Sequence, residues 1–502
     1  MVNTSEKIKN RWIITITVML VTVIETLDMT IVNVSLPTIA GSLGANYDQM
    51  PWVITTYTIT AAIIMPLTGF LVSIIGQKRL LLLNITGFLI NSCLCGLSQN
   101  IIQLVIFRGL QGLFGASLVP LSQSIINQNF SADEKPKAMS IWGIGVMVGP
   151  VLGPSLGGYI TDVLNWKYIF FINIPICLVA LVLTRKFIED TPRNKTAIDW
   201  LGIFFIVTGI GSLQIFLDRG NIDNWFDSNF ILTIFVISIV SILFFVIHRI
   251  TKPDKLVNIS LFKNRQFFFC TLMVFVFSSG FFGVVVILPT MLENVANYSS
   301  ITTGIFMASR GIAAIIGMLL VPKLIEKIDL PKIIIIGIIL SSFSTYLMAQ
   351  YNSMLSFEIM VIPTLILGVG SSFIFSPLII LSLGSLHPSQ IAEGAGLFSF
   401  FRSLGLSMGM SISSTLMSRE TSVNWQYFSQ NNNLNQMILY GKNSIGNLHL
   451  DKKIILPYLN TLLKRESLML AFTNVNYFIT ICFILMLPLM FIFLKKKNGK
   501  IV

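Results

Sequence analysis

Two carboxylates three residues apart, Glu25 and Asp28, interrupt the first long apolar run of this chain. A helix brings residues at that spacing onto one face. A charged side chain at the centre of a membrane helix costs about 2.5–3.5 kcal/mol on insertion scales, so it turns toward protein or water and serves function. Two acids on one such face suit the holding of a proton or a cation. A group of opposite sign stands in the fourth apolar run, where Arg108 lies in Phe107-Arg108-Gly109-Leu110-Gln111-Gly112. A guanidinium in a span needs an anion, a carbonyl or water as much as an acid needs its own partner. Asp28 and Glu25 are the partners expected for Arg108, and a structural ion pair closing a helix bundle would use the same residues.

The elements that must position these groups are membrane spans. The chain has 502 residues, 54% apolar and 11% charged, with a mean hydropathy of +0.80, and a soluble protein could not cover that much apolar surface. Runs long enough to cross about 30 Å of hydrocarbon as helices lie at 12–36, 51–73, 79–98, 101–125, 136–160, 167–187, 199–217, 229–249, 267–289, 302–322, 331–350, 357–384, 393–416 and 470–494. Fourteen spans place both termini on one side. Lys7, Lys9, Arg11, Lys78, Arg79, Lys135, Lys137, Arg185, Lys186 and Lys495–Lys497 flank the spans on that side, whereas the short loops opposite hold only Lys167 and Arg219. The positive-inside bias therefore predicts cytoplasmic termini. The net charge of +12 is a topology signal that requires no nucleic acid.

Other chemistry is not indicated. The five cysteines fall in apolar runs, as packing residues do. His248, His387 and His449 are far apart, and no phosphate loop of the GxxxxGK[ST] form occurs. No metal, cofactor, ATP-driven step or enzymatic centre is expected.

Leu36-Pro37-Thr38 recurs as Leu288-Pro289-Thr290, an echo compatible with a parallel repeat of helices. The expected plan is a six-helix half over 1–190, two inserted helices and a linker over 191–260, and a second six-helix half over 261–502 that contains a long outer loop at 417–469. The fifth run carries Gly143, Gly145, Gly149-Pro150, Gly153-Pro154 and Gly157-Gly158. Glycine every fourth residue allows close helix approach, and the prolines remove backbone donors. A short turn with Gly69, Ser73, Gly76, Lys78 and Arg79 joins the second and third runs.

Together these motifs resemble the major facilitator superfamily, and within it the fourteen-helix drug:proton antiporters of the EmrB and QacA types. Leu27-Asp28-Met29-Thr30-Ile31-Val32-Asn33-Val34 is similar to that family's helix-1 motif, Arg108-x-x-Gln111-Gly112 to its helix-4 motif, and Gly149-Pro150-x-x-Gly153-Pro154-x-x-Gly157-Gly158 to its antiporter motif. Trp52-Val53-Ile54-Thr55 and Leu217-Asp218-Arg219-Gly220 are also similar. The resemblance implies an all-α major facilitator fold and export driven by inward proton flow, with Asp28 binding the proton and Arg108 modulating its charge. Glu25 lies outside the motif core and is expected to help or to take a second proton. Ser73 departs from the family, which usually has an acid there. Asn33, Gln111, Phe281, Phe282, Phe373, Phe375, Arg310 and Arg402 are the residues expected to line a substrate cavity, whose excess of arginine would suit neutral or weakly acidic apolar compounds. Expected partners are hydrophobic small molecules, protons and membrane lipid. In a two-membrane bacterium the resemblance adds an EmrA-type periplasmic adaptor and a TolC-type outer-membrane channel, whereas QacA-type proteins work alone. Export of an endogenous metabolite or siderophore is the alternative within the same class.

Overall fold

The computed structural model describes residues 4–46, 49–131, 134–193, 198–251, 256–352, 357–431 and 452–495. Among these, the regular structure is helical. The long helices are α1 (Thr4–Ser42), α2 (Trp52–Ile75), α3 (Gln77–Gly96), α4 (Ile101–Asn129), α5 (Lys135–Val163), α6 (Tyr168–Phe187) and α7 (Trp200–Arg219). They continue with α8 (Asn229–Thr251), α9 (Arg265–Asn294), α10 (Ser300–Ile325), α11 (Leu330–Met348), α12 (Phe357–Gly384), α13 (Ile391–Asn431) and α14 (Lys452–Ile484). Thirteen described helices are long and apolar enough to cross a membrane. The exception is α13, which contains the expected span 393–416 but is diluted by Arg402 and by Ser399, Ser403, Ser407, Ser411 and Ser413, all five serines buried.

The glycine-rich helix α5 explains how α1 is held. A side chain at Gly149 would strike the Thr26 backbone, one at Gly153 the Thr30 side chain, and one at Gly157 the Ile31 carbonyl. Bare backbone on α5 thus lets α1 approach until its hydroxyls reach α5 carbonyls. Thr30 Oγ1 donates to the Gly149 carbonyl at 2.9 Å, Thr26 Oγ1 to Gly145 at 3.2 Å and Ser35 Oγ to Gly157 at 3.3 Å. The opposite side of α5 meets α10, where Gly143 faces Met318 and Val151 fills the space left by Gly311. The four-residue glycine repeat is therefore packing between α1 and α5, and a different face of α5 meets the later helices.

Helices α1–α6 pack largely on one another, as do α9–α14, while α7 and α8 pair together and α7 also touches α2 and α13. The first and second groups meet along α5 with α10 and α12, and where the Leu118–Asn129 part of α4 and the Met65–Ile75 part of α2 lie on α13. These last contacts cluster at the end of the bundle that holds the start of α1: a side chain at Gly69 would overlap Glu393, and one at Gly396 would overlap the Met65 carbonyl. On that face Asp199 begins α7, accepting from the Gly202 amide at 3.0 Å and lying 3.0 Å from His248 Nε2 on α8. Burial raises the Asp199 carboxyl, but the Gly202 amide and His248 outweigh it and hold it below the ordinary carboxylate range.

The expectation of a loop over 417–469 is corrected. Helix α13 runs on to Asn431 and α14 starts at Lys452, so both flanks are helical, while 432–451 lie outside the described residues. At 1.5 Å per residue, α13's 41 residues reach roughly 60 Å, about twice the hydrocarbon thickness. Trp425 Nε1 donates to Asn460 Oδ1 at 3.0 Å and Asn474 Nδ2 to Glu420 Oε2 at 2.9 Å, which joins the two extensions. Gly149→Val should lower stability by about 1–3 kcal/mol, the usual cost of overpacking; thermal unfolding of the purified variant checks this, and an unchanged midpoint would contradict the α1–α5 contact.

Candidate proton-coupling site

Asp28 lies in the middle of α1 and is fully buried. Two helices, α4 and α6, supply its partners. Helix α4 starts where Asn100 Oδ1 accepts from the Gln103 amide at 2.9 Å, which sets Arg108 about two turns inside. Arg108 Nη1 donates to Asp28 Oδ2 at 2.5 Å and to Gln111 Oε1 at 2.8 Å. That second bond orients the Gln111 amide, whose Nε2 donates to Asp28 Oδ1 at 2.9 Å. From α6, Asn173 Nδ2 donates to the same Oδ1 at 2.9 Å and to Ser92 Oγ of α3 at 3.0 Å. Tyr57 of α2 lies beneath the guanidinium, with its ring centroid 4.4 Å from Arg108 Cζ. Gly112 makes that approach possible, since a side chain there would overlap the Tyr57 carbonyl.

In this arrangement the Asp28 carboxyl group accepts from one guanidinium and two side-chain amides. Glu25 differs. It is also buried, but its Oε2 has no hydrogen-bond partner. Arg108 is hydrogen-bonded to Asp28 and not to Glu25, whereas Arg402 of α13 lies within electrostatic reach of Glu25. Of the two acids expected as partners for Arg108, Asp28 is the one it bonds, and Glu25 stands nearer the arginine of another helix group.

Gln111, expected at a cavity wall, belongs instead to the Asp28 network and is fully buried. Asn33 lies exposed on α1 beyond Asp28. Phe281 stacks against the Arg310 guanidinium at 5.0 Å and meets Phe282 edge-on at 5.3 Å. Phe373 packs away from them against Val321 and Ile333, and Phe375 is buried in the main core, so neither joins the crevice beside Arg310. In the turn after α2, Ser73 Oγ donates back to the Phe70 carbonyl at 2.7 Å, and Gly76 adopts φ +91°, which favours glycine. Arg79 finds its acid elsewhere, in Asp190 at 3.2 Å, while the Gln77 amide donates to Thr191 Oγ1 at 3.0 Å. Lys78 is partly exposed beside them.

Three polar groups were not singled out from the sequence as site residues: Asn173, Tyr57 and Asp218. Asp218 falls just outside the expected seventh span, yet α7 continues through Arg219, and the carboxylate accepts from Thr58 Oγ1 and Gln214 Nε2, each at 2.9 Å. Gln214 also donates to Ser407 of α13 at 2.5 Å. The signal available for both Asn173 and Asp218 was a lone polar residue in or beside an apolar run.

Residues 18–410 match the family model described as Major Facilitator Superfamily. The chain belongs to the major facilitator superfamily. A superfamily relative, "Multidrug export protein EmrB" of Escherichia coli (strain K12), is 35% identical over 414 residues, covering 82% of this chain and 81% of that protein. "Fatty acid resistance protein FarB" of Neisseria gonorrhoeae is 34% identical over 422 residues, covering 83% of each. Among solved structures, the human organic anion transporter MFSD10 (TETRAN) superposes with a TM-score of 0.63 at 13% identity, covering 96% of this chain and 99% of that one, a likeness of fold. Within this superfamily fold the Asp28–Arg108 pair spans α1 and α4. Arg108→Ala should therefore destabilise the purified protein by about 3–5 kcal/mol, the cost of leaving a buried charge unpaired. Asp28→Asn placed in the same chain should recover most of that loss in thermal unfolding; additive losses would contradict the pairing.

Proposed function

We propose that this chain is a proton-coupled antiporter that exports hydrophobic drugs or other toxic compounds across the cytoplasmic membrane, with Asp28 as the coupling carboxylate. The observation that carries this reading is a buried, mid-span carboxyl group that accepts from Arg108, Gln111 and Asn173, one turn from a second carboxyl with a free oxygen. Glu25 takes a proton without breaking a contact. Passing it to Asp28 cancels the charge that holds Arg108, and the freed guanidinium is then available to neutralise a changed environment as the helices move. The relatives named for multidrug export support the direction of transport and the breadth of substrate.

In this proposal the two helix groups, 1–190 and 261–502, are the halves that alternate access, with 191–260 inserted between them. The basic flanks of the spans support a cytoplasmic start of α1 and a cytoplasmic end of the last span. The contacts of α13 with α2 and α4 then seal the cytoplasmic end, and Glu25 with Arg402 becomes an electrostatic tie between the halves. The joined extensions of α13 and α14 project outward, where an EmrA-type adaptor would dock in a two-membrane cell.

Proteoliposomes loaded with a panel of hydrophobic dyes test the reading. An inward proton gradient should drive dye movement that an uncoupler collapses, and Asp28→Asn should abolish it. Glu25→Gln should retain dye binding while transport loses most of its response to the gradient. Undiminished gradient-driven movement in Asp28→Asn would remove that residue from coupling.

A further inference from the structure

Three arginines within the described spans have an acidic partner or neighbour, and Arg310 does not. Arg108 has Asp28, Arg402 has Glu25 within electrostatic reach, and Arg219 has Asp223 at 3.1 Å. Arg310, on α10, is 4% exposed, yet among the described residues it forms no ion pair and no carboxylate acts on it. Its Nη1 is buried without an acceptor. A guanidinium taken out of water needs an anion or acceptors for its donors. Among the described residues, no anion and no acceptor for Nη1 is supplied.

What surrounds Arg310 says what would. Phe281 covers one face of the guanidinium at 5.0 Å. That contact uses the π face and leaves the N–H groups, which lie in the guanidinium plane, still to be satisfied. The crevice that Arg310 lines is otherwise apolar, with Met147, Pro150 and Val151 of α5 on one side and Phe281 and Met307 on the other. Methionines adapt their shape to unlike apolar bodies. A planar carboxylate matches the fork of donors in two parallel bonds. A halide or a phosphate head group would need further donors, and the crevice wall has none. The position is also suggestive of transport: Gly311 lets Val151 press against α10, so Arg310 sits in the seam where the two groups of helices meet.

We propose that Arg310 is the recognition point for an amphipathic organic monoanion, a carboxylate on an apolar body, whose head pairs with the guanidinium in the seam between α5 and α10. The inference rests on the export reading above and names a substrate class for it.

Equilibrium binding to the protein in nanodiscs tests it, with 11-(dansylamino)undecanoate and its uncharged methyl ester as fluorescent probes and empty nanodiscs as the blank. The wild type should bind the carboxylate about tenfold more tightly than the ester, as a charge-assisted hydrogen-bonded pair would give. Arg310→Gln should bind both alike, with ester affinity unchanged as the sign that the crevice is intact. Arg310→Lys, which keeps the charge without the fork, should keep part of the preference and guards against a Gln variant that does not fold. Equal affinities in the wild type, or a preference that survives in Arg310→Gln, would overturn the proposal. So would protection against thermal unfolding by sodium chloride with none from the carboxylate probe, which would assign the site to a halide. No gradient is used, so a failure of proton coupling leaves this result untouched, and the loss of this preference leaves the coupling assay untouched.

Discussion

A carboxylate and a guanidinium withdrawn from water together set the conditions that the rest of this protein meets. Burying either Asp28 or Arg108 alone would cost several kcal/mol in lost hydration. Their mutual attraction offsets that only with good geometry and with the remaining lone pairs occupied. Gln111 and Asn173 occupy them, and each comes from a helix that must therefore keep its register against α1. The network is thereby both a tie between α1, α3, α4 and α6 and a charge balance that one proton would upset.

The glycine face of α5 does for backbone what that network does for side chains. It brings α1 close enough for Thr26, Thr30 and Ser35 to bond its carbonyls, so the acid-bearing helix is fixed along its length. The other side of α5 meets α10 and carries Val151 into the Arg310 crevice. One helix thus touches the acid-bearing helix on one face and Arg310 on the other, so a shift of α5 would be felt at both.

Much of this was legible in the sequence, for reasons that follow from the membrane as solvent. Acids and arginines are expensive in apolar runs, so Asp28, Glu25, Arg108, Arg310 and Arg402 stand out, and glycine at four-residue spacing marks a contact face. The helical membrane class followed from fourteen apolar runs and the major facilitator fold from the resemblance of the motifs, although α13 is less apolar than the rest because of its buried serines. What stayed hidden involves pairing and the helix ends. Spacing put Glu25 and Asp28 on one face but could not assign them different arginines, since that depends on how α13 packs. The helices that continue past 417 and begin at 452 carry polar residues outside the hydrocarbon, where no apolar run betrays a helix. Asp218 was missed because its span reaches two residues beyond the last apolar residue.

The most direct test of the central claim, that a proton and a substrate compete through the Asp28 network, is proton release on substrate addition. Purified protein in weakly buffered solution with a pH indicator should release protons when a transported dye is added, and the release should vanish in Asp28→Asn combined with Glu25→Gln. Release of equal size from that double variant would show that the coupling proton resides elsewhere and would contradict the account.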